Sequence, residues 1–257
     1  MTYHPQHQGH NAATALHMHP SFWTATNPAV LNPDVWKKEY GGSKILPSSF
    51  REEPSHALKR AEQIIGPFIG LDILDVGCGG GRNALALAVR NHVHAIDFCP
   101  QALSILERKV LLSRPPVLLS YHIWNALKPN EEFRGRFDIM LDAYFSCHIV
   151  DETILEIWHS NAHSYLRPGG FLLIFGFTDA DGYYAQFEIN RSGALVISKD
   201  IFTGIDKRLD SAGSIRDLYP DFCVVHSEHV RFDDFVLGKI YNRDILLSIL
   251  RRTPKIV

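Results

Sequence analysis

In the stretch ILDVGCGGGRNALALA, residues 73–88, four glycines occupy five positions between Asp75 and Arg82. Glycine admits positive φ and lets the main chain pass close to a bound molecule, and the free N–H groups that open a helix favour acceptor atoms. Gly77, Cys78 and Gly79 are therefore candidates to hold a ligand through their backbone, with Asp75 and Arg82 as opposite charges beside it. Asp97 follows about 20 residues after the first glycine, the distance at which an acid grips a ribose in nucleotide-binding α/β folds. A dinucleotide fingerprint GxGxxG needs glycine where Arg82 stands, so this turn fits a pyrophosphate poorly. A second group of reactive types lies in LDAYFSCHIV, residues 141–150, where Asp142, Tyr144 and His148 fall close together and include two proton acceptors.

The elements around these residues follow from periodicity. ILDV is a short buried strand running into the glycines, and Asn83 to Arg90 reads as the helix behind them. Ser55 followed by HALKRAEQII predicts a capped helix ahead of that strand. HVHAID, PVLLSYHI, RFDIMLDAY and GFLLIFGF supply four more strands, separated by the helical stretches QALSILERKVLL and DETILEIWHSNAHSYL, the latter with Asp151 as its N-cap. Strands alternating with helices require right-handed crossovers and a mostly parallel sheet, which places ligands beyond the carboxyl ends of the strands. Past strand five, residues 178–208 are longer than an ordinary connection and predict an inserted lid or hairpin. SAGSIRDLYP then reads as a short helix, and FCVVHSEHVRF and DILLSIL as late strands. Residues 1–50 show no sustained period, yet carry Phe22, Trp23, Trp36 and Tyr40, so they predict an arm that docks on the 51–257 domain as packing, as pocket cover, or as both.

Asp75-x-Gly77-x-Gly79-x-Gly81 resembles motif I of the class I S-adenosylmethionine-dependent methyltransferases. Asp97, RFDIMLDAY and LRPGGFLLI match that family's later segments in order. GCGGGRNALALA is similar to the turn of small bacterial members, in particular the tellurite-resistance methyltransferases. The resemblance implies a doubly wound α/β fold with a mostly parallel seven-stranded sheet, whose sixth and antiparallel seventh strands are the two late ones. It implies S-adenosylmethionine as cofactor and S-adenosylhomocysteine as product. Asp97 would hold the ribose hydroxyls beside Phe98, and Gly77, Cys78 and Gly79 the methionine portion. Arg82 would meet the methionine carboxylate or form a surface salt bridge, and Asp75 would order the loop or touch the ligand. Where many members place an acid after strand three, this chain has HIWNAL, so Asn125 is assigned to the adenine amine through its amide oxygen, with the Ala126 N–H beside it.

Transfer from a sulfonium depends on alignment and on excluding water, and a proton acceptor helps if the acceptor is a hydroxyl or an ammonium. His148, Tyr144 and Asp142 are the catalytic candidates; Asp142 would face either the cofactor or the substrate, and His148 is alternatively a packed residue at a helix entry. Trp36, Arg51, His56, Tyr183, Tyr184 and Arg208 are candidates for the substrate side, although Arg51, Glu52 and His56 also read as a solvated charged cluster and Arg208 as one half of an ion pair. A net charge of −2 supplies no field for nucleic acid, no apolar run reaches membrane length, and Cys78, Cys99, Cys147 and Cys223 are scattered without metal-ligand spacing. The expectation is a cytoplasmic monomer or homodimer with a small-molecule substrate, no nucleic-acid or membrane partner and no metal. A cofactor-binding protein without transfer activity and a nicotinamide-dependent oxidoreductase are the alternatives.

Overall fold

The computed structural model describes residues 32–43 and 45–253. Most of the arm, with Phe22, Trp23 and the N-terminal histidines, lies outside the described residues. The remainder of the arm is helix α1 (Pro33–Lys38), a wide turn over Glu39–Ser43 and helix α2 (Pro47–Phe50). Asn32 caps α1 by accepting from the Asp34 N–H. The buried Glu39 carboxylate accepts from the Leu46 N–H at 2.6 Å and the Ser49 hydroxyl at 2.8 Å, which ties the turn to α2.

The body begins with α3 (His56–Ile65), capped by Ser55, and β1 (Asp72–Val76). It continues through α4 (Arg82–Leu87), β2 (His92–Asp97), α5 (Pro100–Leu112), β3 (Leu119–Ile123), β4 (Phe137–Ala143), α6 (Glu152–Tyr165) and β5 (Leu166–Phe177). The insertion contributes β6 (Ile189–Ser192), β7 (Leu195–Lys199) and β8 (Asp206–Leu209), before α7 (Ala212–Leu218), β9 (Phe222–Val236) and β10 (Lys239–Arg252). Strands β3, β2, β1, β4 and β5 pair in that order, all parallel. β10 lies antiparallel beside β5, and β9 antiparallel beside β10. Strand order reverses at β1, between β2 and β4, so the glycine turn opens at the topological switch point.

Side-chain alternation splits the core into two layers. Ile73 joins Ala57, Leu58 and Ala61 of α3 on one face, while Leu74 and Val76 pack with Leu155 and Trp158 of α6 on the other. Asp151 fixes the start of α6 by accepting from the Ile154 N–H at 3.0 Å. Each fully buried large side chain contributes about 1.5–3 kcal/mol through area removed from water.

Among the described residues the expected seven strands number ten. β8 bonds to the end of β5 at Phe177 and Leu209, and β7 and β6 follow it antiparallel, so the insertion extends the sheet. The last hairpin is also longer than the apolar periodicity indicates, turning at Leu237 and Gly238, both with positive φ. Its distal part is polar in sequence because buried ion pairs replace apolar packing there: Arg243 bridges Asp234 and Asp181.

Candidate cofactor and acceptor site

A cavity of about 440 Å³ opens beyond the carboxyl ends of the parallel strands. One wall is the turn after β1. Gly77, at φ 63°, presents bare main chain: a Cβ there would come within 2.9 Å of the Phe145 ring. Asp97, at the end of β2, accepts from the Gly79 N–H at 2.9 Å and the Cys99 N–H at 2.8 Å, and its residual exposure of 7% is into this cavity, with Phe98 next to it. Burial raises its carboxyl to about 6, although the backbone donors oppose the shift. Arg82, in the first turn of α4, lines the cavity, stands 5.8 Å from the Tyr144 ring and has no carboxylate partner among the described residues.

The arm supplies the roof. The Tyr40 ring lies on Gly79 where a side chain would be, and burial together with Asp97 raises its phenol well above the usual range. Trp36 stacks near Tyr40 and meets the His148 ring edge-on at 4.7 Å. Arg51, half-buried, pairs with the buried Asp234 on β9, and His56, still exposed, stacks on Phe232 at 4.3 Å, so both residues contact the last hairpin.

Opposite the glycines the cavity is lined by rings. Tyr144 takes a left-handed conformation, φ 65°, directly after β4 and stacks on Phe177 at 5.1 Å; such a backbone in a tyrosine is strained and held by its surroundings. Tyr183 and Tyr184 complete this wall, with the Tyr183 hydroxyl donating to Asp200. Arg243 lies 5.0 Å from the Phe177 ring and is neutralised by Asp181 and Asp234. Deepest is Lys207 on β8, only 2% exposed, its Nζ 2.8 Å from His148 Nε2. Burial, and then the neighbouring lysine, hold His148 neutral by lowering its pKa well below the usual range; the ring also bonds the Asp206 backbone. Burial likewise lowers the Lys207 amine.

Gly77, Arg82, Asp97 and Phe98 thus share one cavity with Tyr144, His148, Trp36, Arg51, His56, Tyr183 and Tyr184. The other expected residues do not line it. Asp75 sits behind the turn: its Oδ2 is buried without a partner, and burial followed by the charge of Asp97 raises its carboxyl to about 8. Cys78 is buried, and the Gly79 N–H is taken by Asp97. Asn125 uses its amide oxygen on the Leu127 N–H at 2.9 Å, and the Ala126 carbonyl accepts from Asn161. Asp142, 1% exposed, caps the turn after β4 by accepting through Oδ1 from the Phe145 and Ser146 N–H groups, with Oδ2 buried without a partner. Arg208, 1% exposed, forks onto Asp210 at 2.7 and 3.1 Å and donates to the Ser146 carbonyl.

Lys207, the immediate neighbour of Arg208, is the residue sequence reasoning passed over. Successive side chains of a strand point to opposite faces, so on β8 one cation enters the cavity and the other does not. Arg243, Asp234, Phe177 and Phe232 were equally unmarked, since they meet the site only through strand pairing. Tyr40 was legible as one of too many large rings in the arm. The Cys147 thiol is buried and pushed up to about 12, which removes it as a nucleophile. Among the described residues no three His, Cys, Asp or Glu side chains are grouped to hold a metal, and no helix is long and apolar enough to cross a membrane.

Residues 73–170 match a family model described as a methyltransferase domain. Hemagglutinin 1 of Eikenella corrodens is 30% identical over 128 residues, which are 49% of this chain; the chain spans 40% of the length of that relative. The 1,6-didemethyltoxoflavin-N1-methyltransferase of Burkholderia thailandensis, solved with 1,6-didemethyltoxoflavin and S-adenosylhomocysteine, superposes with a TM-score of 0.62 at 18% identity, covering 88% of each chain. The N-methyltransferase NodS of Bradyrhizobium japonicum, solved with S-adenosylhomocysteine, gives 0.58 at 17% identity, covering 86% of this chain and 98% of its own.

Proposed function

From the premise that this chain carries a methyltransferase domain in the fold of the class I S-adenosylmethionine-dependent methyltransferases, we propose that it moves the methyl group of S-adenosylmethionine to a small-molecule acceptor. The observation that carries the reading is the meeting, in one cavity, of bare backbone at Gly77, the Asp97 carboxylate and an unpartnered Arg82, facing a separate ring-lined end. These groups fit the cofactor. Asp97 accepts from the ribose hydroxyls, the Gly77 main chain lies along the methionine portion, and Arg82 takes its carboxylate. Asp75 holds the turn from behind. When bound, the cofactor supplies an activated methyl on a good leaving group.

The protein's work is then alignment and exclusion of water. Trp36 and Tyr40 from the arm, and Tyr183 and Tyr184 from the insertion, act as covers; Tyr144, Phe177 and the His148–Lys207 pair shape the acceptor end. His148 acts as a neutral group positioning Lys207 rather than as a strong base. A covered cavity and the absence of a basic stripe in a chain of net charge −2 support a compact acceptor over a nucleic acid.

Incubation with methyl-labelled cofactor and a panel of thiols, amines, phenols and carboxylates tests this, with label expected in one acceptor class. Tight cofactor binding with no label moved to any acceptor would instead favour a cofactor-binding role without transfer.

A further inference from the structure

The charged groups of the cavity pair off unevenly. Arg51 and Arg243 share Asp234, Arg243 also holds Asp181, and Lys59 lies 4.0 Å from Glu53. Asp97 is satisfied by backbone donors. Two cations remain without a carboxylate within ion-pair distance among the described residues: Arg82 beside the glycine turn and Lys207 at the far end. An ammonium has three N–H donors and no acceptor. Lys207 gives one to His148, whose Nε2 and Nδ1 lie 2.8 and 3.2 Å from Nζ, so the imidazole is the acceptor that aims the ammonium. Around the rest of Nζ stand the ring faces of Trp36, Phe177 and Tyr184, with centroids at 5.8, 5.6 and 5.9 Å, while Cys147, Asp200, Arg243 and Glu39 act on it by charge without an ion pair within 4.0 Å among the described residues. A buried ammonium with unspent donors is costly unless a partner arrives.

We infer that the acceptor molecule is a flat, ring-bearing acid whose carboxylate seats on the Lys207 ammonium, so that the ring lies between Trp36, Phe177 and Tyr184. This rests on the methyl-transfer reading and names its substrate class. Arg82 then meets the carboxylate of the cofactor and Lys207 that of the acceptor. The two free donors of Lys207 match the two oxygens of a carboxylate, and the surrounding rings give the flat part of the molecule its contact area.

The test is calorimetric titration of the protein saturated with S-adenosylhomocysteine, using matched pairs: benzoate and benzamide, salicylate and salicylamide, nicotinate and nicotinamide, with phenol as a further probe. The acids are expected to bind about tenfold or more tighter than their amides, the size of a lost charge-assisted hydrogen bond. Lys207→Met is expected to erase that preference in protein saturated with S-adenosylhomocysteine, and Lys207→Arg to retain it. Amides binding as well as acids, phenol outranking benzoate, an acid preference that survives Lys207→Met, or no ring compound binding at millimolar concentration would each overturn the inference. Should Lys207→Met not fold, the acid-against-amide difference in the wild type decides alone. Failure of S-adenosylhomocysteine itself to bind would strike the methyl-transfer reading instead.

Discussion

Replacing Asp97 by Asn removes one charge at the point where the proposed ribose contact is made. In the folded protein the carboxylate is 7% exposed, accepts from two backbone N–H groups and is raised by burial from 3.8 to about 6. Hydrogen bonds to a charged acceptor contribute about 1.5–3 kcal/mol, so Asp97→Asn should weaken S-adenosylhomocysteine binding about 10- to 150-fold. The pH dependence gives a second, independent signature. Ribose hydroxyls donate to the ionised carboxylate, so wild-type affinity should be full above pH 7 and fall up to about tenfold per unit as pH drops through about 6. Asp97→Asn should lack that step; Asp75, raised to about 8 by burial and then by the charge of Asp97, should titrate lower in the variant, which moves its own contribution away from that expected for wild type. Stability of the ligand-free protein should respond in the opposite sense. A folded carboxyl that binds its proton more tightly than the unfolded chain adds stability as pH falls from about 6 toward 3.8, by about 3 kcal/mol at most, and the variant should lose this increment. Isothermal titration from about pH 5 to 8 measures the first, and urea unfolding from about pH 8 down to 4 the second. Variant affinity equal to wild type, with the same pH profile, would refute the assignment.

Three further outcomes are expected. Arg208→Met should destabilise the protein by about 3–5 kcal/mol in urea unfolding, because Asp210 is left buried without its guanidinium; a loss within about 1 kcal/mol would remove the structural role given to that pair. Arg82→Leu should weaken S-adenosylhomocysteine about tenfold or more yet leave 5′-methylthioadenosine, which lacks the amino-acid portion, unchanged in calorimetry; equal losses for both ligands would contradict a carboxylate contact. Gly79→Ala should cost about 1–2 kcal/mol of stability from its left-handed backbone and displace the Tyr40 ring, with Tyr40→Ala relieving the second effect only; strictly additive unfolding energies in the double variant would show that ring and turn do not touch.

The glycine-turn end of the cavity was legible because its requirements are local. Glycines at alternate positions, a helix start and an acid about 20 residues on all sit within one strand–helix–strand unit, and Asp97 and Gly77 meet in the cavity as their spacing implies. The acceptor half is assembled by strand pairing. Asp234 and Arg243 come together only because β9 and β10 run antiparallel past the site, and their polar stretch hid the length of that hairpin. Arg208 and Lys207 were separable only by knowing which face of β8 looks inward. Asn125 and Asp142 do not line the cavity and share a local trait: a short polar side chain at or just past the end of a strand bonds to its own backbone two to four residues on.

The crystal structure of the protein soaked with S-adenosylhomocysteine bears most directly on the central proposal. The ribose is expected on Asp97, the methionine portion along Gly77 with its carboxylate toward Arg82, and the sulfur facing the chamber walled by Tyr144, Phe177 and His148. A cavity still closed by Tyr40 at saturating ligand, or a nucleoside bound anywhere other than against the glycine turn, would contradict it.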